Sequence, residues 1–131
     1  MKASFKPRAR LLKLLGDQLI GTPQLAVFEL VKNSYDADAE KVEIVISKPE
    51  DKDNATIEIT DFGGEGMTLD TITDVWLEPG ADHREKQKSA GKRSKKHNRL
   101  PLGEKGVGRF AVHKLGQKIT LITKAKSSPE L

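Results

Sequence analysis

Three polar side chains interrupt an otherwise apolar segment at spacings that suit catalysis. Glu29, Asn33 and Asp36 stand at i, i+4 and i+7, so a helix would project them from one face. Their neighbours are the apolar residues of a core helix: Leu25, Phe28, Leu30 and Val31. Carboxylate and amide oxygens in this arrangement suit a hard cation such as Mg²⁺ and an attacking water. The alternative is the solvated face of an amphipathic helix.

A second candidate begins at Asp61, where a strand-like run passes into the glycine-rich segment Gly63-Gly64-Glu65-Gly66-Met67. A carboxylate at this point can accept a hydrogen bond from an exocyclic amine, and glycines allow the backbone to approach a flat ring. An ordinary turn remains the alternative, because Asp and Gly are common loop residues after a strand.

A third candidate, Gly103-Glu104-Lys105-Gly106-Val107-Gly108, precedes a segment of helical character. Glycines entering a helix present free N–H groups to an anion, and Lys105 adds positive charge. The sequence lacks the Gly-Lys-Ser/Thr of a P-loop and has no strand directly before the glycines, as a dinucleotide fingerprint requires.

The elements that must position these residues alternate between helical and strand patterns. The restart signal Thr22-Pro23 predicts a helix from Pro23 to about Asp36, after a first helix from Pro7 to Ile20. The other predicted elements are strands at 42–46, 56–60 and 118–123, a short helix at 68–76 with Leu69, Ile72, Val75 and Trp76 facing inwards, and a helix at 107–115. This pattern indicates an α+β fold whose sheet we expect to continue beyond residue 131.

Composition narrows the class of protein. The 131 residues include no cysteine, which excludes disulfides and thiolate metal sites. There is no bilayer-length apolar run and no secretory signal at the start, so we expect a cytoplasmic protein without a membrane partner. The net charge of +4 is concentrated in residues 83–99, which carry +7 and leave −3 elsewhere.

The basic segment itself allows three interpretations. Residues 78–102 bury little and are predicted to be mobile. Their lysines could be solvated, could reach phosphates, or could contact nucleic acid through its phosphates. Nucleic acid is not indicated, because no interleaved aromatic residues offer a stacking surface.

Taken in order, the three candidate segments resemble the GHKL ATPase superfamily, which contains the ATP-binding domains of Hsp90, gyrase B, MutL and histidine kinases. The resemblance extends from about Leu15 to Ile122. It implies the Bergerat fold, a two-layer α/β sandwich, with residues 1–131 forming a single ATP-binding domain. Residues 78–102 would be its ATP lid, and strands and domains downstream would be absent.

The resemblance also implies roles for individual residues, with ATP and Mg²⁺ as cofactors. Glu29 matches the acid that activates the hydrolytic water, Asn33 the magnesium ligand, and Asp61 the carboxylate that recognises the adenine amine. The remaining nucleotide-binding positions that it implies are Asp36, Ala37, Gly63, Gly66, Met67, Gly103, Lys105, Gly106, Val107, Gly108, Arg109 and Phe110.

Two positions indicate the branch of the superfamily. Histidine kinases have Asn where Glu29 stands and usually Lys where Asp36 stands, so this chain resembles the hydrolytic branch. Mg-dependent ATP hydrolysis is therefore expected, with ATP and ADP as ligands and homodimerisation on ATP binding. A non-hydrolysing ATP sensor and a basic nucleic-acid-associating domain are the alternatives.

The Asp61–Met67 loop departs from the family pattern. It is one residue longer and either bulges at Gly63-Gly64 or contains an inserted glycine.

Overall fold

The computed structural model describes Leu14, Gln18 and residues 20–77, 93–103 and 108–126. Most of the predicted first helix lies outside these ranges, although Leu14 and Gln18 are helical. The first half of the predicted lid, residues 78–92, and residues 104–107 of the glycine loop also lie outside them.

Helix α1, Pro23–Asp36, has the bounds that the sequence predicts. The Thr22 side chain accepts a hydrogen bond from the Leu25 backbone amide at 3.2 Å, and Pro23 follows where no N–H is needed. The helix ends in a Schellman motif, with Ala39 N donating to Ser34 O at 3.0 Å and Asp38 N donating to Tyr35 O at 3.1 Å. Asp38 occupies the left-handed position of this motif with φ 63°.

Strands β1 (Lys41–Ser47) and β2 (Thr56–Phe62) form an antiparallel hairpin in which Ile44 faces Ile59. Both predicted strands are therefore confirmed, each slightly longer than predicted. In the connecting loop, the Asp51 carboxylate accepts hydrogen bonds from the backbone amides of Asp53 and Asn54 at 3.1 Å. The side chains of Ile44, Ile46 and Ile57 are exposed, so the apolar face that the alternation predicts to be buried is not covered.

The predicted helix at 68–76 consists of a short helix α2, Leu69–Thr71, followed by a π-helical turn, Ile72–Trp76. The Thr73 hydroxyl donates to the carbonyls of Leu69 and Asp70 at 3.2 and 3.3 Å. Hydroxyl bonds of this kind compete with the helical ladder and account for the change of winding. Ile72 and Trp76 are half-buried as predicted, Leu69 is 59% exposed, contrary to the prediction, and the Val75 side chain lies outside the described part.

The buried core lies between helices. A 3-10 turn, Gly108–Phe110, leads into helix α3, Ala111–Leu115, which packs against α1. Ile20, Ala26 and Ala111 form the core, with Leu30 and Leu115 packed against it. The predicted helix near 107–115 is thus present in its described part, and the side chains of α1 that face away from this core are available to a site.

The predicted third strand, 118–123, is wrong. The sheet in the described ranges has two strands, and the backbone of 118–123 makes no ladder with either. The Thr123 hydroxyl instead accepts a hydrogen bond from Met67 N at 2.9 Å. The α+β class is as predicted. None of the helices in the described ranges has the length and apolar character needed to cross a bilayer.

Candidate functional site

The structure brings Glu29, Asn33 and Gly108 together. Glu29 and Asn33 lie one turn apart on α1, and Gly108 begins the 3-10 turn that leads into α3. A Cβ at Gly108 would lie 2.9 Å from Glu29 Oε2 and 3.8 Å from Asn33 Oδ1. The backbone at the end of the glycine loop therefore lies close to the carboxylate, and a side chain at this position would displace Glu29.

Lys32 is a neighbour of Glu29 that the sequence analysis did not single out. Its Nζ donates to Glu29 Oε1 at 2.9 Å and Oε2 at 3.2 Å, within one turn of α1. Both side chains are 21% exposed, so the pair is partly shielded from solvent. The ammonium group restricts the rotamers of the Glu29 carboxylate and keeps it on the side of the helix that faces Gly108.

The C-terminal end of α1 holds the two glycine-rich segments in place. Asp36 accepts hydrogen bonds from Leu102 N at 2.8 Å and Gly103 N at 3.0 Å, which fixes the first residue of the glycine loop. The Ala37 carbonyl accepts from Glu65 N at 3.1 Å, and a Cβ at Gly64 would lie 3.0 Å from that oxygen. All three predicted segments thus meet on α1 and the turn that follows it.

A pocket of about 260 Å³ lies beside Asp61. It is lined by Asp61, Gly63, Gly64, Gly66, Ile122, Thr123 and Lys124. Gly63 and Gly66 have φ values of 77° and 68°, which glycine adopts without strain. The turn lies at Gly63-Gly64, which is consistent with a bulge there in the longer loop. Ile122, Thr123 and Lys124 were not predicted as site residues.

Other predicted site residues are placed differently or lie outside the described part. Lys105, Gly106 and Val107 are outside it, as is the side chain of Arg109. Phe110 is 7% exposed and its ring stacks on His113 at 6.3 Å between centroids. Its ring therefore contributes to packing and presents little surface to a ligand. Met67 is half-buried and bonds to Thr123 through its backbone amide.

Asp38 is a buried acid that the sequence analysis missed. Its side chain is among the most buried polar groups, at 2% exposure, and Oδ2 accepts a hydrogen bond from Lys96 N at 2.9 Å. Burial raises the pKa of the Asp38 carboxyl, but the Ser94 hydroxyl and the backbone amides of Lys96 and His97 outweigh it, so the net pKa lies below its ordinary value. The alternation of acidic residues and alanines at the end of α1 was the sequence pattern that could have indicated Asp38.

The described half of the predicted lid lies against the turn after α1. Lys96 forms an ion pair with Glu40, which lowers the pKa of the Glu40 carboxyl. The Arg99 guanidinium donates to the carbonyls of Ala39 at 2.8 Å and Tyr35 at 3.2 Å, and lies 4.5 Å from the Tyr35 ring centroid. Lys96 and Arg99 therefore connect this part of the predicted lid to the body of the protein, and the mobility of residues 78–102 stays a prediction.

The lowered pKa of Asp38 predicts a loss of stability in acid. A carboxyl with a lowered folded-state pKa stabilises the fold fully above its unfolded value, about 4, and this contribution disappears as the pH falls through the folded value. We expect urea unfolding to show a smaller loss of stability between pH 5 and pH 3 in Asp38→Asn than in the wild type. Equal losses in the two proteins would contradict this assignment.

Comparison with known proteins agrees with the geometry. No curated protein is detectably similar to this chain in sequence. The model of one family, described as histidine kinase-, DNA gyrase B- and HSP90-like ATPase, matches residues 21–130. The match includes α1, the hairpin, the pocket beside Asp61 and the glycine loop. The chain belongs to the histidine kinase-, DNA gyrase B- and HSP90-like ATPase family.

Proposed function

We propose that this chain binds ATP together with Mg²⁺ and hydrolyses the bond between the β- and γ-phosphates, which gives ADP and inorganic phosphate. Family membership supports nucleotide binding. The observation that carries the finer proposal is the contact of Gly108 with Glu29 and Asn33. It combines a proton acceptor, an amide oxygen and the backbone of a glycine loop at one point, as phosphoryl transfer to water requires.

In this proposal Glu29 accepts the proton of the water that attacks the γ-phosphate. Lys32 holds the carboxylate towards Gly108 through its two hydrogen bonds. Backbone N–H groups of the glycine loop stabilise the charge that develops on the phosphate oxygens. Asp36 supports that loop from its first residue, since it accepts from Leu102 N and Gly103 N.

The purine end of the nucleotide is assigned to the pocket beside Asp61. Its carboxylate is exposed at the end of β2, where it can accept a hydrogen bond from an exocyclic amine. Gly63, Gly64 and Gly66 line the pocket without side chains, so a flat ring can lie against their backbone. Thr123 and Lys124 also line the pocket.

The residues present fit a magnesium ion that is held mainly by the nucleotide. Mg²⁺ commonly takes one or two protein oxygens and completes its shell with phosphates and water. Asn33 Oδ1 faces the space beside Gly108 and would be the protein ligand. Within the described ranges no cluster of three or more acids or histidines could hold a metal by itself. When bound, the ion would neutralise phosphate charge.

The nucleic-acid alternative gains no support from the described part of the basic segment. Lys96 is paired with Glu40, and Arg99 is bonded to backbone carbonyls and the Tyr35 ring. These two cations stabilise the protein itself. Homodimerisation on ATP binding and a cytoplasmic location stay predictions.

Thermal melting with and without Mg·ATP tests the proposed binding. At a ligand concentration of about 100 Kd, binding to the folded state stabilises it by roughly 2.7 kcal/mol, which corresponds to a rise in Tm on the order of 10 °C. We expect Asp61→Asn to remove most of this rise, because an amide cannot replace the carboxylate as a pure acceptor.

Asp53→Asn is a matched control, since it makes the same change in the exposed loop at the other end of the hairpin. It should keep the full rise in Tm. A wild-type protein without any rise would overturn ATP binding. A full rise in Asp61→Asn would overturn the assignment of the adenine pocket alone.

A further inference from the structure

Residues 93–103 are attached to the turn that follows α1 by contacts along their whole length. We call residues 36–40 the acidic turn and residues 93–103 the anchored segment. Lys96 N donates to Asp38, Arg99 Nη1 donates to Ala39 O, and the backbone amides of Leu102 and Gly103 donate to Asp36. The segment thereby reaches the glycine loop in a fixed position.

The attachment centres on Asp38, an acid whose backbone conformation and burial are both unfavourable. Asp38 has a left-handed backbone, φ 63°, where glycine is the usual residue, and its side chain is 2% exposed. A buried carboxylate is unfavourable unless donors surround it. Within the described residues the anchored segment supplies one measured donor, Lys96 N to Asp38 Oδ2 at 2.9 Å, whereas Oδ1 is buried without a hydrogen-bond partner. Glycine would satisfy the turn, so the hydrogen bond from Lys96 N is what an aspartate adds at this position.

The acidic turn also contacts the loop that lines the pocket. The Glu40 carboxyl is paired with Lys96, and a Cβ at Gly63 would lie 2.9 Å from Glu40 Cδ. Lys96 Nζ additionally lies 3.4 Å from Gly63 O. The anchored segment, the acidic turn and the Asp61 pocket therefore form one continuous set of contacts.

The glycine loop is fixed at both ends by α1. Its first residue, Gly103, is held by Asp36, and its last, Gly108, lies against Glu29. Asp36 and Glu29 are seven residues apart, or about 10 Å along a helix. Gly103 is also the last residue of the anchored segment, so its position depends both on its hydrogen bond to Asp36 and on the docking of residues 93–102.

We propose that Asp38 is a positioning residue that docks the anchored segment and so places the glycine loop for binding the nucleotide phosphates. This inference rests on the proposed ATP binding. The carboxylate does not contact the nucleotide. It acts through Lys96 and the chain that follows, and its removal should weaken ATP binding while leaving α1 and the hairpin folded.

Two substitutions of Asp38 separate the carboxylate from the backbone geometry. Asp38→Gly removes every acceptor and keeps a residue that is comfortable at φ 63°, whereas Asp38→Asn keeps one acceptor oxygen for Lys96 N and tolerates the same φ. Lys48→Gly is the matched control, because Lys48 also has a positive φ, 49°, in the exposed loop between β1 and β2.

Amide hydrogen exchange measures the anchoring without nucleotide. In Asp38→Gly we expect the exchange of the Lys96 amide to rise about tenfold or more, since its hydrogen bond to the Asp38 carboxylate is lost. The amides of Leu102 and Gly103, which are bonded to Asp36, should also exchange faster because the segment before them is released, with β1 and β2 unchanged. Titration calorimetry with Mg²⁺ and a non-hydrolysable ATP analogue should give a Kd about tenfold higher. Asp38→Asn should have amide exchange and a Kd near those of the wild type, and Lys48→Gly should have the wild-type values.

If Asp38 only stabilises the fold, Asp38→Gly should lower the fraction of protein molecules that bind the analogue and leave the Kd of those molecules unchanged. That result, or unchanged exchange at residues 93–103, would overturn the proposal. If Asp38→Gly does not fold, Arg99→Met tests the same attachment, because it removes a contact that the anchored segment makes with the acidic turn. It must raise both the amide exchange of residues 93–103 and the Kd for the analogue. If the wild type binds no analogue, the proposed function fails, and the exchange data still report separately on the anchoring.

Discussion

Glu29→Gln is expected to lower kcat for ATP hydrolysis by a factor of roughly 10² to 10⁴, the usual contribution of a general base. Glutamine has nearly the same size and can stay beside Gly108, but it cannot accept the proton of the attacking water. The Kd for Mg·ATP should change little, because Asn33, the glycine loop and the Asp61 pocket are untouched. Phosphate release at saturating ATP and calorimetric binding measure the two effects separately.

Glu58→Gln on the exposed face of β2 is the matched control and should hydrolyse ATP like the wild type. Lys32→Met is informative as well, since it keeps the Glu29 carboxylate and removes its partner. It should bind ATP normally and hydrolyse it more slowly if Lys32 orients Glu29. Wild-type turnover in Glu29→Gln would exclude Glu29 as the base. A wild type that binds ATP without turnover would favour the ATP-sensing alternative.

The parts of the fold that depend on neighbouring residues were predictable from the sequence. The bounds of α1 follow from Thr22-Pro23 at its start, and both strands of the hairpin follow from their alternation. The end of α1 at Asp36 is set by Asp38 in the left-handed conformation, which local patterns rarely reveal.

The parts that depend on distant partners were not predictable. Residues 118–123 have the alternation of a strand, but a strand also needs a neighbour with free backbone groups, and neither β1 nor β2 pairs with this segment. The contact between the basic segment and the turn after α1 is of this kind, because Lys96 N donates to Asp38, which is 58 residues away in the chain.

The same distinction applies to the site. Glu29, Asn33 and Asp61 were proposed because their residue types and spacing suit the expected chemistry. No sequence pattern indicated that Asp36 would hold the glycine loop through backbone amides, or that Ile122, Thr123 and Lys124 would line the pocket. These contacts arise where the chain returns to α1 and to the Asp61–Met67 loop, and no local pattern specifies that return.

Gly66→Ala is expected to reduce the free energy of unfolding by roughly 2–4 kcal/mol and to weaken ATP binding. At φ 68° an alanine is strained, and its Cβ would lie 2.0 Å from Lys124 O and 2.9 Å from Ala125 N. These atoms belong to backbone and cannot rotate away, so the chain at Lys124 and the buried Ala125 must shift. Because Thr123 and Lys124 line the pocket beside Asp61, the shift should open it.

Alanine variants of two further glycines distinguish the effect of backbone strain from the effect of the steric collision with Lys124. Gly63→Ala has a similar φ, 77°, but its Cβ would meet the Glu40 side chain, which can rotate where backbone cannot. We therefore expect a loss nearer 1 kcal/mol, mostly from strain. Gly21→Ala meets no atom within 4 Å and should leave stability and ATP binding unchanged within about 0.5 kcal/mol. Urea unfolding of the three variants gives the comparison. If Gly66→Ala loses no more than Gly63→Ala, the chain at Lys124 does not press on Gly66, and the pocket lacks the wall on which the assignment of the adenine site depends.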